Sequence, residues 1–314
     1  MQGLEEAKKL YENFGAVKIH ADFPEYEGRI AFGLAGHGSE CFGFDDELSR
    51  DHDFEPGFCM WLTDEDDIKA GPRLARIYRE IIAEAFPGGT EKVEHSLMAE
   101  KKLGVMRTCD FFRRYTGADG APESLEHWLA IPSWALAEAT NGQIWRDDLG
   151  EYSAIREILL YGMPEDVRKK KIAAKAILMA QSGQYNYSRC LKHGETGAAQ
   201  LALSEFVKEC AEMIYLLNRA HAPYYKWLLR GIGRLEILSG LKDALEFLLV
   251  SENTDEGTAL KAEVIEDICQ NIILELVNQN LTDSSSTYLE KHAYEVQERI
   301  EDRRLRAMHI MEEQ

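Results

Sequence analysis

The sequence predicts an α+β fold, a small sheet with flanking helices followed by an all-helical bundle, and three observations predict it. Short apolar runs at Arg29–Leu34 and Phe58–Leu62 have the length and composition of buried strands. Beyond about Ser153, apolar residues recur at helical spacing, strand-like alternation is nearly absent, and Gly, Pro, Asn or Ser breaks divide the chain into helical stretches. At 314 residues, with 45% hydrophobic residues and 8 prolines, the chain is long enough for two cores. Two domains are therefore expected, residues 1–150 and 151–314.

Each element follows from its local pattern. Leu4–Phe14 reads as an amphipathic helix, and Ala16–Asp22 with Arg29–Leu34 begin the strand-bearing region. Asp64-Glu65-Asp66-Asp67 forms an acidic lead-in to a helix over Pro72–Phe86, with Leu74, Ile77, Tyr78, Ile81 and Ile82 on its apolar face. Pro87-Gly88-Gly89 stops it. Leu103–Phe112 is the next strand candidate, and a Gly/Pro loop at Gly117–Pro122 leads to short helices around Ser124–Leu129 and Ser133–Thr140. Asn141-Gly142 is a turn signal; the runs after it, Gln143-Ile144-Trp145 and Asp147–Gly150, either pair as a hairpin or link helices. Helices then follow at Ser153–Tyr161, Pro164–Ser182, Glu195–Ala220, Ala222–Ile232, Leu235–Leu249, Asp255–Leu276 and Ser286–Met311, with no internal repeat of fixed period.

Chemistry concentrates in Gly36–Asp53, which reads GHGSECFGFDDELSRDHD. A Gly-Ser turn at Gly38–Ser39 can offer backbone N–H groups to a phosphate, because glycine has no side chain to block the approach. Asp51 and Asp53 are spaced one apart, so in an extended segment their carboxylates share a face while His52 points the other way. Two converging carboxylates repel unless a cation lies between them, and a hard oxygen donor set of this kind suits Mg²⁺. Phosphate turn and metal pair together suggest nucleotide chemistry. Asp45, Asp46 and Glu47 read as a solvated acidic turn or a helix cap.

Gly38-Ser39, a spacer and Asp51-x-Asp53 resemble the signature of the polymerase-beta-like nucleotidyltransferase superfamily. GLAGHGSECFGFDDELSRDHDF, TNGQIWRDDLGEY and NRAHAPYYKW further resemble an uncharacterised bacterial branch of that fold, known as a domain of unknown function, over most of the chain. The resemblance implies a small mixed catalytic sheet with an attached helical bundle. It also implies Mg²⁺-dependent transfer of a nucleoside monophosphate from a nucleoside triphosphate, expected to be ATP, to a hydroxyl of a small molecule or protein. Gly38 and Ser39 would contact phosphates, and Asp51 and Asp53 would hold metal. The alternative in the same fold is a catalytically silent protein that binds a nucleotide or another protein. Two departures matter: the residue between the aspartates is usually aliphatic and here is His52, and the third acid is not fixed by a motif. Asp110, in the third strand candidate, is the first choice for that catalytic and metal-binding role, with Glu94 next and then Asp147 or Asp148; a helix N-cap is the competing role for Asp110.

Within the bundle, Ala222-Pro223-Tyr224-Tyr225-Lys226-Trp227 gathers aromatics and a lysine after a proline. Lys226 could meet a triphosphate and Tyr224 or Tyr225 stack on a ring; a packed helix entry is the competing role. Tyr185–Arg189, in the Gly183–Gly194 connection, is a further cleft candidate beside its role as an exposed loop. Metal-dependent phosphohydrolase chemistry on His52-Asp53 with His20 or His37 is a third, weaker possibility, since that chemistry places its ligands on helices.

Composition limits the partners. A formal net charge of −19, from 36 basic and 55 acidic residues, argues against a broad nucleic-acid-binding surface. Arg168-Lys169-Lys170-Lys171 reads as a solvated helical face. The six cysteines show no C-x-x-C pair, as expected of thiols in a reducing compartment. No apolar run approaches the roughly 20 residues needed to cross a bilayer, and the acidic, helical start lacks a secretory pattern. The expected location is the cytoplasm, with no membrane partner; the oligomeric state is open.

Overall fold

The computed structural model describes residues 2–46, 56–88 and 102–313. The chain is α+β and divides into two compact units: residues 1–122 with 135–162, and residues 123–134 with 163–314. The first unit thus takes in one helix beyond residue 150, and the second takes a short helix from the middle of the chain.

The first unit opens with α1 (Gln2–Leu10), a π-helical turn (Tyr11–Gly15) and α2 (Ala16–Asp22). Ala16–Asp22, expected as strand, is helix, because its buried positions fall four apart at Ile19 and Phe23 while Val17 is exposed. Strand β1 (Ala31–Leu34), the four-residue helix α3 (Ser39–Phe42) and β2 (Cys59–Leu62) follow. Helix α4 (Asp64–Ala85) begins eight residues before Pro72, so the acidic lead-in is its first turn. The start is fixed at Thr63, whose hydroxyl accepts from the Asp66 N–H at 3.1 Å and donates to the Asp66 carboxylate at 3.0 Å. Pro72 removes one helical hydrogen bond, and the burial of Leu74, Ile77 and Ile81 beyond it holds the helix together with the cap.

Strand β3 (Gly104–Arg107) ends earlier than the sequence suggests. Thr108 starts α5 (Thr108–Thr116), so Asp110 stands in a first helical turn and not at a strand end. After α6 (Leu125–Ala130) come α7 (Ser133–Thr140), β4 (Gln143–Arg146) and α8 (Glu151–Tyr161). The sheet order is β3-β2-β1-β4, with β1 antiparallel to β2 and β4 and β2 parallel to β3. Gln143-Ile144-Trp145 therefore forms a sheet edge. Side chains alternate faces along the strands. Phe32, Phe58, Met60 and Leu62 pack with Tyr11, Leu74 and Ile81 on one face; on the other, the Trp61 ring stacks on Tyr152 of α8 at 4.1 Å and meets Phe111 edge-on at 5.4 Å.

The second unit, with α6, is all helical: α9 (Glu165–Met179), a π-helical stretch (Ala180–Tyr187), α10 (Ser188–Lys192), α11 (Thr196–Leu217), α12 (Tyr225–Ile232), α13 (Leu241–Val250), α14 (Asp255–Asn278), α15 (Leu289–Glu298) and α16 (Arg303–Ala307). Tyr185–Arg189, expected as a loop, is helical because α9 runs on through the π stretch into α10. The widened turn accommodates Gly183, where a methyl group would overlap the buried Phe206 ring. Gln184 leaves it to accept from the Leu289 N–H at 2.9 Å.

The basic run of α9 is not a solvated face. Arg168, Lys170 and Lys171 are buried, because their stems pack while their charges are met by backbone carbonyls at or beyond helix ends. Lys170 donates to His309 O at 2.8 Å and Ile310 O at 3.0 Å, and Lys171 to Leu129 O at 2.9 Å and Ile131 O at 3.3 Å. Arg168 donates to Leu216 O and to Gln279, which in turn donates to Leu217 O. Burial pushes both the Lys170 and Lys171 ammonium groups down to about 8.

The packing at Gly183 makes a paired prediction. Gly183→Ala should destabilise the protein by roughly 1–3 kcal/mol through overpacking, whereas Gly197→Ala, in the first turn of α11 with open space around it, should stabilise by about 0.5–1 kcal/mol. Urea unfolding of the two variants checks the contrast.

Candidate functional site

The Gly38–Ser39 turn lies at the carboxyl end of β1. Because β2 is antiparallel to β1, Cys59 opposite Gly33 places the amino end of β2 at the same edge of the sheet. Gly36 (φ +111°) and Gly38 (φ +116°) both occupy backbone conformations that side chains rarely adopt. At Gly38 a Cβ would also lie 2.5 Å from both Glu40 Oε2 and Lys102 Nζ, so it would displace the ends of those two side chains. Glu40 and Lys102 form an ion pair across that glycine, each about 14% or less exposed.

The turn is held from the other side by a residue that the sequence marked only as a bend. The Gly36 N–H donates to Asn141 Oδ1 at 2.8 Å, and Asn141 Nδ2 donates back to Gly36 O at 2.7 Å. One amide thus satisfies both backbone groups of one glycine. Next to it, the Gly142 N–H donates to Cys41 O at 2.9 Å, and any side chain at Gly142 would strike Leu34. The signal in the sequence was Asn141-Gly142 itself, but a turn dipeptide does not reveal what it grips.

Asn141 follows directly after α7, and this brings Glu138 of that helix to the turn. Glu138 neighbours Lys102, Cys41 and Tyr115, and burial pushes its carboxyl up to about 7 against the lowering influence of Lys102. The Tyr115 hydroxyl lies 2.9 Å from where a Cβ on Gly36 would stand, and burial holds its pKa well above the ordinary tyrosine range. Cys41 is pushed up to about 12, chiefly by burial, and is a packed thiol. Burial works to lower the Lys102 pKa, yet its anionic neighbours hold it above the usual value, so it stays charged.

A cavity of about 270 Å³ opens on the same edge, lined by Ala7 and Leu10 of α1, Leu34, Glu40, Pro56 and Gly57. The two stretches of chain that flank the aspartate pair, Glu40 on one side and Pro56-Gly57 on the other, thus meet at one cavity. Asp51, Asp53, His52 and Glu94 lie outside the described residues. Asp45 accepts from the Gly3 N–H at the start of α1 at 2.8 Å, a packing contact.

Gly38 and Ser39 are together at this edge, and Asp110 is not. It follows the carboxyl end of β3, where Arg107 pairs with Leu62, three strand positions from the Cys59 end and so roughly 10 Å along the sheet. Both its oxygens are engaged, by Arg107 at 2.7 and 2.8 Å and by Arg113 at 2.8 Å. The Arg107 hydrogen bonds hold its pKa below the usual carboxylate value. Asp147 is spent on the start of α8, accepting from the N–H groups of Gly150 and Ser153, and Asp148 pairs with Arg146. His20 pairs with Glu27. Tyr225 and Lys226 stand in the second unit, exposed on the first turn of α12, with Tyr225 against the Tyr224 ring at 4.3 Å.

Among the described residues, the acidic group spaced for a metal is Glu209, Glu212 and Glu313 in the second unit. The Lys175 ammonium already fills it, at 2.8, 2.6 and 2.9 Å from the three. These carboxylates outweigh the lowering effect of burial and hold the lysine well above its ordinary pKa. This is a compensated structural charge cluster. All six cysteines are free, and no described helix is long and apolar enough to cross a membrane.

Residues 128–228 match the family described as a domain of unknown function, DUF4037. The match spans about a third of the chain, less than the resemblance implied; it takes in Glu138, Asn141 and Gly142 and begins well after the Gly38–Ser39 turn, which it does not include. No curated protein and no solved structure matches the chain.

Two consequences can be measured. Asn141→Ala leaves both backbone groups of Gly36 without this partner and should cost about 1–3 kcal/mol in urea unfolding. For Glu138, the folded pKa lies above the unfolded 4.5, so the folded state binds the extra proton between these values. Stability is then lost as pH rises from about 4.5 through 7. Glu138→Gln should remove that slope, with a difference on the order of 1 kcal/mol at pH 8 after solvent screening of a half-exposed group.

Proposed function

We propose that this chain is a Mg²⁺-dependent nucleotidyltransferase, which moves a nucleoside monophosphate from a nucleoside triphosphate, ATP first, to a hydroxyl of a small molecule or protein. The observation that carries the reading is the convergence at one sheet edge. The Gly38–Ser39 turn follows the carboxyl end of β1, and Glu40 and Pro56-Gly57, on either side of residues 47–55, line one cavity at that edge. Lys102 adds a buried, permanently positive charge against Gly38.

The donor set read from the sequence fits the cation: two aspartates one residue apart supply the hard oxygen ligands that suit Mg²⁺. Bound there, Mg²⁺ would supply charge neutralisation for the triphosphate and the departing pyrophosphate. The chain's own part is positional. The Gly38–Ser39 turn, its entry pinned by Asn141 at Gly36, would hold the phosphates without reorganising during the reaction. Lys102 would exchange its Glu40 partner for phosphate oxygens, a swap of one anion for another at a fixed cation.

A second reading is a silent member that binds a nucleotide or another protein without turnover. It is favoured by the engagement of Asp110 with Arg107 and Arg113, away from the turn. One experiment separates the two. Thermal shift with nucleoside triphosphates, with and without Mg²⁺, should show Mg²⁺-dependent stabilisation in either case, and pyrophosphate release should accompany it only for the enzyme. Asp51→Asn combined with Asp53→Asn should keep the melting temperature and lower pyrophosphate release by more than about a hundredfold; unchanged release would sink the enzyme reading.

A further inference from the structure

We propose that His292, Thr282 and Glu295 form a pH-sensitive lock on the connection between α14 and α15, closed when both ring nitrogens of His292 carry a proton and loosened when one proton leaves. The lock belongs to the second unit and is independent of the nucleotidyltransferase reading.

Proton counting carries the inference. His292 and Thr282 are fully buried, and among the described residues the ring hydrogen-bonds to Thr282 and Ser286. His292 Nε2 lies 2.8 Å from Ser286 O, and a carbonyl oxygen only accepts, so Nε2 carries a proton. At the other end of the chain, Glu295 Oε2 lies 2.7 Å from the Thr282 hydroxyl and accepts from the N–H groups of Asp283 at 2.8 Å and Ser284 at 3.0 Å. The hydroxyl first, and then these N–H groups, hold the Glu295 carboxyl below the usual carboxylate range. Glu295 is therefore an anion, and the single proton of Thr282 goes to it. Thr282 Oγ1, 3.0 Å from His292 Nδ1, then has no proton left for the ring. Nδ1 must donate in its turn, so the closed chain runs from an imidazolium through a hydroxyl to a carboxylate. With a neutral ring, Thr282 has one proton for two acceptors, and one link is lost.

The connection has no helix or strand of its own, so side chains decide how firmly it is held. Its far end is tied by Gln184 and Gln270, which donate to Thr287 O at 3.2 and 3.1 Å. Those groups do not titrate. The near end, Thr282 to Ser286, is held by the lock.

Helix α15 packs against α9, α14 and the π-helical stretch. From α9, Lys169 and Lys170 come to α15, where they donate to Arg299 O and Gln297. From α14 and the π-helical stretch come Glu266, Cys269 and Tyr185, all near Tyr288, with Glu266 accepting from Gln184. Gln297 also donates to the carbonyls of Arg306 and Met308, which brings Arg306 and His309 to the end of α15. Of the charges on α15 and its connection, Glu290 lies near Tyr288, and Asp283 pairs with Arg299. None of these groups hydrogen-bonds to the His292 ring, so the ring's proton answers to Thr282 and Glu295.

The test uses the full chain labelled with ¹⁵N, followed by NMR between about pH 5.5 and 8.5, the range in which histidine changes charge. At the acid end His292 should show an N–H signal at both ring nitrogens, and at the alkaline end at Nε2 alone. Hydrogen-exchange protection of the Asp283 and Ser284 amides, corrected for the intrinsic rate, should fall about tenfold or more with the same midpoint. Glu295→Gln keeps the shape and removes the anion that stabilises the second ring proton, so the ring titration should move to lower pH by about one unit or more. A wild-type ring that carries one proton throughout, or both throughout, overturns the proposal. So does amide protection that does not follow the ring, or a ring titration that Glu295→Gln leaves in place.

Discussion

The side-chain amide of Asn141 is the constraint on which the rest of the first unit depends. Gly36 leaves β1 with a positive φ, and its two backbone groups then lie outside any strand ladder. A loop of that shape is kept only if something else satisfies them. Asn141 does so with one donor and one acceptor, and because it stands between α7 and β4, the same two hydrogen bonds fix the register of the sheet edge and the reach of α7. The position of Glu138, the entry to the Gly38–Ser39 turn and the closeness of Gly142 to Leu34 all follow from it.

The fold was legible where the signal was local. Phe58–Leu62 and Arg29–Leu34 could be read as strands because they are short, apolar and bounded by turn residues, and Ser133–Thr140 is a helix over the span its pattern gives. Errors arose where two periodicities fit one stretch. Ala16–Asp22 carries alternating apolar residues, but packing of Ile19 and Phe23 selects the four-residue repeat. Leu103–Phe112 is one apolar run in the sequence and two elements in space, and the break at Arg107 moved Asp110 off the strand. No motif marked Glu138. It lies 97 residues beyond Cys41 in sequence, and only the Asn141 contact, a long-range pairing invisible to local pattern, makes them neighbours.

The same limit explains the basic run of α9. Four consecutive cationic residues normally signal a solvated face, and that expectation holds when no better acceptor than water is near. Here carbonyls from Leu129, Ile131, Leu216, His309 and Ile310 stand ready, all in the last turn of a helix or beyond it. Three cations from one helix thereby close the ends of several segments of the second unit. The cost is visible in Lys170 and Lys171, whose protons burial loosens; the gain is a set of charge-assisted hydrogen bonds that tie several segments to α9.

Two buried charge systems in this chain differ in the way that separates architecture from chemistry. Lys175 is surrounded by Glu209, Glu212 and Glu313, so one ammonium at hydrogen-bond distance from all three already occupies the place a cation would take. A metal entering there would first have to displace an ammonium ion already matched to three oxygens. Glu138 is the reverse. Its ionisation is opposed by burial and helped only by Lys102, which Glu40 already neutralises. Structure alone gains nothing from a carboxyl at that place, since glutamine has the same shape and none of the charge. The two systems therefore respond oppositely to neutralisation: an uncharged side chain at 138 relieves a burial cost, whereas an uncharged one at 175 strands three carboxylates.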